Sequence, residues 1–275
     1  MRFGLSLPLT ADIQKLITLT RFAEQVGFDT VWMPDHLYSI NGETPLEAWS
    51  VLSILALQTS RVGLGTGVTS VFKYNPVVLQ QKVDTLNKIS SGRAFLSLGT
   101  GEMADNKLLG VNVEKPLSYL REYTSRFKNR IRTYIGALSP KMRDLAGEIA
   151  DGWVPYVHTL KQFNSYKKEV EAKVGNRPFD YVANIPVSFT ASEQILRSIG
   201  YRYLWSQKSN LITDEAVAKI SHEELQSVSA IGRLDEVRSV LKAYIDSGAT
   251  HLLIRLYDED FIKFKEVMST IRREI

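Results

Sequence analysis

Two residues able to do acid–base chemistry follow one another near the N-terminus. Asp35 and His36 come directly after the apolar run at residues 30–33. The ordinary pKa of histidine lies close to neutrality, and a carboxylate beside it suits proton transfer or the stabilisation of a charge that develops on a ring. An N-cap aspartate next to a surface histidine would explain the same two residues. Taken alone, the pair therefore leaves a purely structural role open.

A Gly-Thr-Gly triplet occurs at residues 65–67 and again at 99–101, each time at the end of an apolar run. Glycine at such a place lets a flat ring or a phosphate approach the backbone closely. A dinucleotide fingerprint would need a third glycine three residues further on, where Ser70 and Ala104 stand, so nicotinamide binding is disfavoured. Either triplet alone could be a tight turn. Their repetition, with Glu102 after the second, favours a bound planar cofactor.

A candidate phosphate site follows the next apolar run. Ser139 and Pro140 have the residue types that cap and begin a helix, whose free amide hydrogens would suit a phosphate. An ordinary helix cap explains both residues equally well.

Metal and cysteine chemistry are not predicted. The chain has no cysteine, its four histidines are too far apart in sequence to share a helical turn, and no carboxylate cluster has metal-ligand spacing. His251 lies inside an apolar run, where a structural role is expected. Trp32, Trp49 and Trp153 are expected in the core.

The elements that must position these residues follow a repeated pattern of amphipathic helix, glycine and short β-branched run, with Pro45, Pro76, Pro116 and Pro140 at predicted helix starts. Eight strands are predicted to begin near Arg2, Thr30, Val62, Ala94, Arg132, Gly152, Tyr181 and His251. This α/β rhythm predicts a (β/α)8 TIM barrel, and a doubly wound sheet of six or seven strands is the alternative. A helical insertion is expected at residues 190–232, between strands 7 and 8, and residues 1–275 are expected to form one domain.

Composition excludes several classes of protein. The 275 residues are 44% apolar, which predicts a sizeable core, and the longest apolar run of about nine residues is too short to span a bilayer. The net charge of +4 is spread over scattered basic residues, so nucleic acid is not an expected partner. The start of the chain does not look like a signal peptide, and a cytoplasmic location is expected.

Several segments resemble the bacterial-luciferase-like superfamily of flavin and deazaflavin oxidoreductases, above all its coenzyme F420-dependent branch. Residues 65–76, 91–93 and 99–102 resemble F420-dependent glucose-6-phosphate dehydrogenases. Residues 134–137, 139–142 and 146–152 are similar to methylenetetrahydromethanopterin reductases. Compared with these enzymes, the segment before the fifth strand is short.

The resemblance implies a deazaflavin at the barrel mouth, seated on a non-proline cis peptide at Gly67–Val68. Implied cofactor contacts are Asp35, Ser70, Gly99, Thr100 and Gly101, with phosphate contacts at Gly136, Ala137 and Ser139. His36 and Glu102 match the catalytic histidine and glutamate.

The implied activity is hydride transfer between F420 and a small organic substrate such as an alcohol, a sugar phosphate or a pterin. A homodimer packed through helices near the second and third strands is also implied. An FMN-dependent monooxygenase and a non-catalytic flavin-binding homologue are the alternatives.

Overall fold

The computed structural model describes residues 1–37, 44–111, 114–207 and 212–275. Parallel strands alternate with helices throughout these ranges. The strands are β1 (Arg2–Ser6), β2 (Thr30–Met33), β3 (Gly63–Thr66), β4 (Thr69–Ser70), β5 (Ala94–Gly99), β6 (Thr133–Gly136), β7 (Gly152–Val154), β8 (Asp180–Ser188), β9 (Ala230–Ile231) and β10 (His251–Leu256).

The sheet closes on itself. Strand β1 pairs with β2 on one side and with β10 on the other, and β10 pairs in turn with β8. The short strands β4 and β9 lie off this ring, so eight strands make the closed barrel within the described ranges. The predicted (β/α)8 barrel is confirmed and the open doubly wound sheet is wrong.

The helices surround this barrel, as the amphipathic patterns predict. They are α1 (Ile13–Val26), α2 (Ala48–Gln58), α3 (Pro76–Ile89), α4 (Met103–Leu108), α5 (Pro116–Ser125), α6 (Pro140–Ile149), α7 (Leu160–Val174), α8 (Glu193–Ser206), α9 (Asp214–Ala218), α10 (His222–Ser227), α11 (Leu234–Asp246) and α12 (Phe261–Glu274). Helices α8, α9 and α10 fall within the expected insertion. Helix α5 ends at Ser125, close to the start of β6 at Thr133.

Two predictions of helix boundaries, at a proline and at a glycine of the repeated pattern, are wrong. Pro45 does not begin a helix, because α2 starts at Ala48 behind an N-cap formed by Glu47. Gly152 does not cap a helix; it begins β7, and a Cβ there would lie 2.5 Å from a ring carbon of Tyr134. Its lack of a side chain serves close packing inside the barrel. Gly27, with φ of 101°, does end α1 in the left-handed conformation.

The barrel interior is filled below its mouth. Inward side chains form one buried cluster made of Trp32, Phe95, Tyr134, Val154, Val182 and Leu253. The other predicted core tryptophans, Trp49 and Trp153, are buried in the larger cluster between barrel and helices. Buried His251 places Nε2 2.9 Å from the hydroxyl of Thr30, in agreement with a structural role. None of the described helices is long and apolar enough to cross a membrane.

Candidate active site

The predicted site residues meet at one end of the barrel. They follow the carboxyl ends of β2, β3, β5 and β6, and parallel strands of a closed barrel bring these ends to one face. Three contacts show the convergence: His36 lies near Glu102, Ser70 lies against Gly101, and Val68 lies against Gly99. This face is the candidate active site.

His36 lies between two carboxylates. Its Nδ1 is 3.2 Å from Oδ2 of Asp105 and 3.6 Å from Oε2 of Glu102. The other oxygen of Asp105 accepts the backbone N–H of Leu37 at 3.2 Å, which fixes the carboxylate relative to the histidine. Because a carboxylate only accepts hydrogen bonds, Nδ1 carries a proton and Nε2 is the ring atom left for a substrate.

The surroundings change the pKa of both partners. Burial disfavours the charged form of His36, but the hydrogen bond to Asp105 and the charges of Glu102, Asp105 and Asp35 outweigh it and raise the pKa of the imidazole. Burial together with the charge of Asp105 raises the pKa of Glu102 to about 7, against the opposing effects of His36 and Arg202. Glu102 can therefore exchange a proton near neutral pH, and His36 holds its proton more firmly than an ordinary imidazole does.

The same three side chains offer possible metal ligands. One donor atom each from His36, Glu102 and Asp105 lie within 4.8 Å of one another. The sequence predicts no metal site, because it shows no pair of histidines within a helical turn and no carboxylate cluster with metal-ligand spacing, and the fold brings these three residues together from two separate segments. The hydrogen bond between His36 and Asp105 engages two of the donor atoms with each other.

Beside this group, the backbone after β3 forms a bulge. The Gly67–Val68 peptide bond is cis, as the resemblance implies. The Val68 side chain is half-buried and lies on the aromatic cluster of the barrel interior. A Cβ at Gly99 or at Gly136 would lie 2.9 Å from a methyl group of Val68. These two glycines make room for Val68, so an apolar platform stands at the mouth, and it fits a flat ring.

Asp35 is enclosed beneath the bulge. Its carboxylate accepts a 2.7 Å hydrogen bond from the hydroxyl of Thr69 and forms an ion pair with Lys73, and its side chain has no exposed surface. Tyr74 lies at the same carboxylate, 3.4 Å away. Asp35 thus ties the end of β2 to the segment after the bulge.

The remaining predicted cofactor residues form two loops. Gly101 has φ of 68°, and a Cβ there would lie 2.4 Å from Oγ of Ser70, so glycine is required on both counts. The carbonyl of Thr100 accepts a hydrogen bond from Asn106 at 3.0 Å. The backbone N–H of Val71 donates a 3.0 Å hydrogen bond to the carbonyl of Gly99, which holds the end of β5 against the segment after the bulge.

The predicted phosphate loop follows β6. Ser139 is the N-cap of α6 and Pro140 begins the helix, as predicted, but the Ser139 hydroxyl makes no capping hydrogen bond. Ala137 is buried, and its carbonyl accepts a 2.9 Å hydrogen bond from Trp153. Buried Arg143 donates to the carbonyl of Leu138 and pairs with Glu169, which anchors the loop.

Three residues at this face escape the sequence analysis. Asp105 lies one helical turn after Glu102, and the spacing of three residues is the signal that could have found it. Arg255 is the last inward-facing residue of β10, and a charged residue near the end of an otherwise apolar strand is a signal that could have found it. Arg202 lies in helix α8 of the insertion and has no signal in the sequence pattern.

A closed eight-stranded α/β barrel with titratable side chains at the carboxyl ends of its strands is the arrangement of a barrel enzyme. The family model described as luciferase-like monooxygenase matches residues 1–130 and 124–251. The chain belongs to this family.

Two relatives with assigned names are similar to this chain in sequence. The chain is 30% identical over 207 residues to 5,10-methylenetetrahydromethanopterin reductase from Methanolobus tindarius, covering 65% of this chain and 62% of that enzyme. It is 26% identical over 304 residues to F420-dependent glucose-6-phosphate dehydrogenase from Kineococcus radiotolerans, covering 91% and 89%. The match to the reductase spans less than two thirds of that enzyme's length.

Solved structures show the same fold. An F420-dependent secondary alcohol dehydrogenase in complex with an F420-acetone adduct superposes with a TM-score of 0.82 at 18% identity, covering 98% of both chains. The F420-dependent tetrahydromethanopterin reductase from Methanopyrus kandleri gives a TM-score of 0.79 at 21% identity, covering 95% of this chain and 96% of that one.

Proposed function

We propose that this chain is an F420-dependent oxidoreductase that transfers a hydride between the deazaflavin and a small organic substrate. The observation that carries the proposal is the pairing of His36 with Glu102, 3.6 Å apart at the barrel mouth, with the pKa of Glu102 raised to about 7. The F420-dependent glucose-6-phosphate dehydrogenase relative supports F420 as the cofactor.

The proposed cofactor-binding residues form groups that lie at different places around the barrel mouth. The platform at Gly67 and Val68 would hold the ring, and Asp35 would support that platform from below. The rim would be formed by Ser70, Gly99, Thr100 and Gly101, and the phosphate would lie at Gly136, Ala137 and Ser139. When bound, F420 supplies a ring that accepts or donates a hydride, which is a proton with two electrons.

The chain's own residues handle the protons. His36, oriented through Nδ1 by Asp105, takes a proton at Nε2 from the hydroxyl of a substrate whose hydroxyl-bearing carbon gives up the hydride, or returns the proton in the reverse direction. Glu102 can hold or release a proton at its carboxylate near neutral pH, which suits exchange with the cofactor ring. Substrates of the alcohol, sugar phosphate and pterin types are the candidates.

Cofactor titration tests this proposal. The purified protein is titrated with F420 and with FMN, and binding is followed by the change in absorbance of each cofactor. We expect F420 to bind and to be reduced on addition of a suitable alcohol, sugar phosphate or reduced pterin. Preferred binding of FMN with oxygen consumption would instead support a monooxygenase, and tight binding of either one without turnover of any candidate would support a non-catalytic homologue.

A homodimer is also proposed. Helices α2 and α3, which follow β2 and β3, carry outward apolar side chains that include Leu57, 73% exposed, and Val77, 63% exposed. Ile54 and Val78 extend this surface. A second copy of the chain would cover it. A cytoplasmic location, a single domain and the lack of a nucleic-acid partner stay predictions from the sequence.

A further inference from the structure

Two arginines at the barrel mouth have no acidic partner among the described residues. Arg202 comes from helix α8 and Arg255 from the end of strand β10. No described carboxylate lies within 4.0 Å of either guanidinium. Buried Arg143, in contrast, is paired, since its guanidinium lies 2.7 Å from the carboxylate of Glu169.

Arg202 presents an unpartnered buried nitrogen. Its Nη1 is enclosed and makes no hydrogen bond within the described part of the chain. Its guanidinium carbon lies 5.4 Å from the centre of the Tyr156 ring. Its positive charge also acts on Glu102, which places it at the face that holds the acid–base pair.

Arg255 points into the mouth from the neighbouring wall. Residues alternate along β10, and Arg255 follows His251 and Leu253 on the inward side. Its Nη1 donates a 3.2 Å hydrogen bond to the carbonyl of Ser6, the last residue of β1, and its guanidinium carbon lies 5.6 Å from the centre of the Tyr257 ring. Burial and the charge of Arg202 lower the pKa of Arg255 to about 10, so it remains charged at neutral pH and the two cations affect each other.

Two half-buried cations that repel each other are costly unless an anion joins them. The guanidinium fork matches the two oxygens of a carboxylate or of a phosphate, and such bonds are the strong, charge-assisted kind. The aromatic rings of Tyr156 and Tyr257 restrict the orientation of the two forks. The predicted cofactor phosphate site at Ser139 follows β6 and is formed by residues other than these two arginines.

We propose that Arg202 and Arg255 form a subsite that binds an oxyanion, a carboxylate or a phosphate, on the substrate. The inference rests on the proposed function, because the anchored substrate would present its reacting carbon to His36 and the cofactor. It restricts the substrate to acids or phosphate esters and disfavours neutral alcohols.

Calorimetric titration with simple anions tests the subsite. The probes are inorganic phosphate, acetate and, as the neutral counterpart of acetate, acetamide. We expect the wild-type protein to bind phosphate or acetate and not acetamide, and the stronger of the two anions identifies the substrate group. Arg202→Gln and Arg255→Gln should each weaken binding at least tenfold, whereas Arg202→Lys, which keeps the charge and loses the fork, should bind more tightly than Arg202→Gln and more weakly than wild type.

Arg273→Gln, at an exposed arginine of α12, is the matched control and should bind like the wild type. Arg255 also donates a hydrogen bond to the carbonyl of Ser6, so its replacement can affect folding. If Arg255→Gln does not fold, the comparison of Arg202→Gln with Arg202→Lys decides the question. Absence of anion binding by the wild type overturns the proposal. Anion binding that survives both glutamine substitutions also overturns the proposal, and it would place the ion elsewhere, for example at the Ser139 loop.

Titration of the same variants with F420 separates this inference from the proposed function. F420 affinity should be unchanged in Arg202→Gln. If F420 fails to bind the wild type while anion binding still depends on the arginines, the proposed function fails and the subsite stands. If F420 binds and anion binding ignores the arginines, the subsite alone fails.

Discussion

Nδ1 of His36 lies 3.2 Å from Oδ2 of Asp105, and the other oxygen of that carboxylate holds the backbone N–H of Leu37. Asp105 therefore positions the histidine and fixes its tautomer, in addition to its electrostatic effect. This relationship gives the imidazole one defined free nitrogen, Nε2, for the transfer of a proton.

Replacing His36 by Ala should remove most turnover, by about 10²–10⁴-fold, while F420 affinity stays within a few-fold of wild type. The reason is that His36 would act on the substrate proton and not on the cofactor platform. Steady-state kinetics and cofactor titration measure the two effects. His222→Ala, at an exposed histidine of α10, is the control and should leave both unchanged. Full turnover by the His36 variant would contradict the assigned role.

Replacing Asp105 by Asn should move the pH dependence of turnover to lower pH. Its charge raises the pKa of both His36 and Glu102, so its removal lowers both. The profile of kcat against pH should change near pH 7 in the wild type, where Glu102 titrates, and at lower pH in the variant. Asp84→Asn, at an exposed position of α3, should leave the profile in place. If the pH profile of the Asp105 variant is not shifted, neither His36 nor Glu102 is the group whose titration shapes it.

Replacing Gly136 by Ala should weaken F420 binding and destabilise the protein by about 1–3 kcal/mol, because the new methyl group would lie 2.9 Å from Val68. Val68→Ala removes the obstructing methyl groups, so the double variant should recover stability relative to Gly136→Ala. Thermal unfolding and cofactor titration of both single variants and the double variant measure the coupling. Strictly additive losses would show that Val68 and Gly136 are energetically independent.

The protein should lose stability as pH falls below about 6.5. Burial lowers the pKa of His158 to about 4 and that of His251 to about 3. Below pH 6.5 the unfolded chain takes up protons at these histidines and the folded chain does not, so each contributes a loss of up to about 1.4 kcal/mol per pH unit. The contribution is absent above pH 6.5 and levels off near the folded pKa values. Melting temperatures of His251→Gln should depend less on pH than those of wild type, and His222→Gln should behave like wild type.

Replacing Leu57 by Glu should convert a dimer into a monomer. A charge at this 73% exposed position of α2 would oppose burial of the apolar surface shared with α3. Light scattering after gel filtration measures the mass. Ile262→Glu, at an 83% exposed position of α12, is the control and should keep the wild-type mass. Equal masses of wild type and the Leu57 variant would reject α2 as the interface.

The barrel could be predicted because its signals are local. Gly27 ends α1 and Pro76 begins α3 through backbone conformations that few other residues adopt, and these points set the spacing between strands. The pairing that closes the barrel, between β10 and both β1 and β8, is long-range. It followed from the number of strands and not from any single residue.

The candidate site was predictable only in part. His36, Glu102 and the glycine triplets stand directly after strands, where a barrel concentrates function. Asp105 and Arg202 lie in helices, and their importance depends on which side chains the fold brings near them. Ser139 illustrates the reverse error, since the residue type suggests a capping hydroxyl that the backbone geometry does not use.

The insertion that contains α8 enters the chain after Ser188, whereas every residue of the proposed cofactor cradle precedes Pro140. In the proposed arrangement, Arg202 of the substrate subsite and the residues of the cofactor cradle are thereby encoded in different stretches of the gene. We expect exchange of the insertion between relatives to alter binding of the anionic substrate group and to leave F420 affinity within a few-fold.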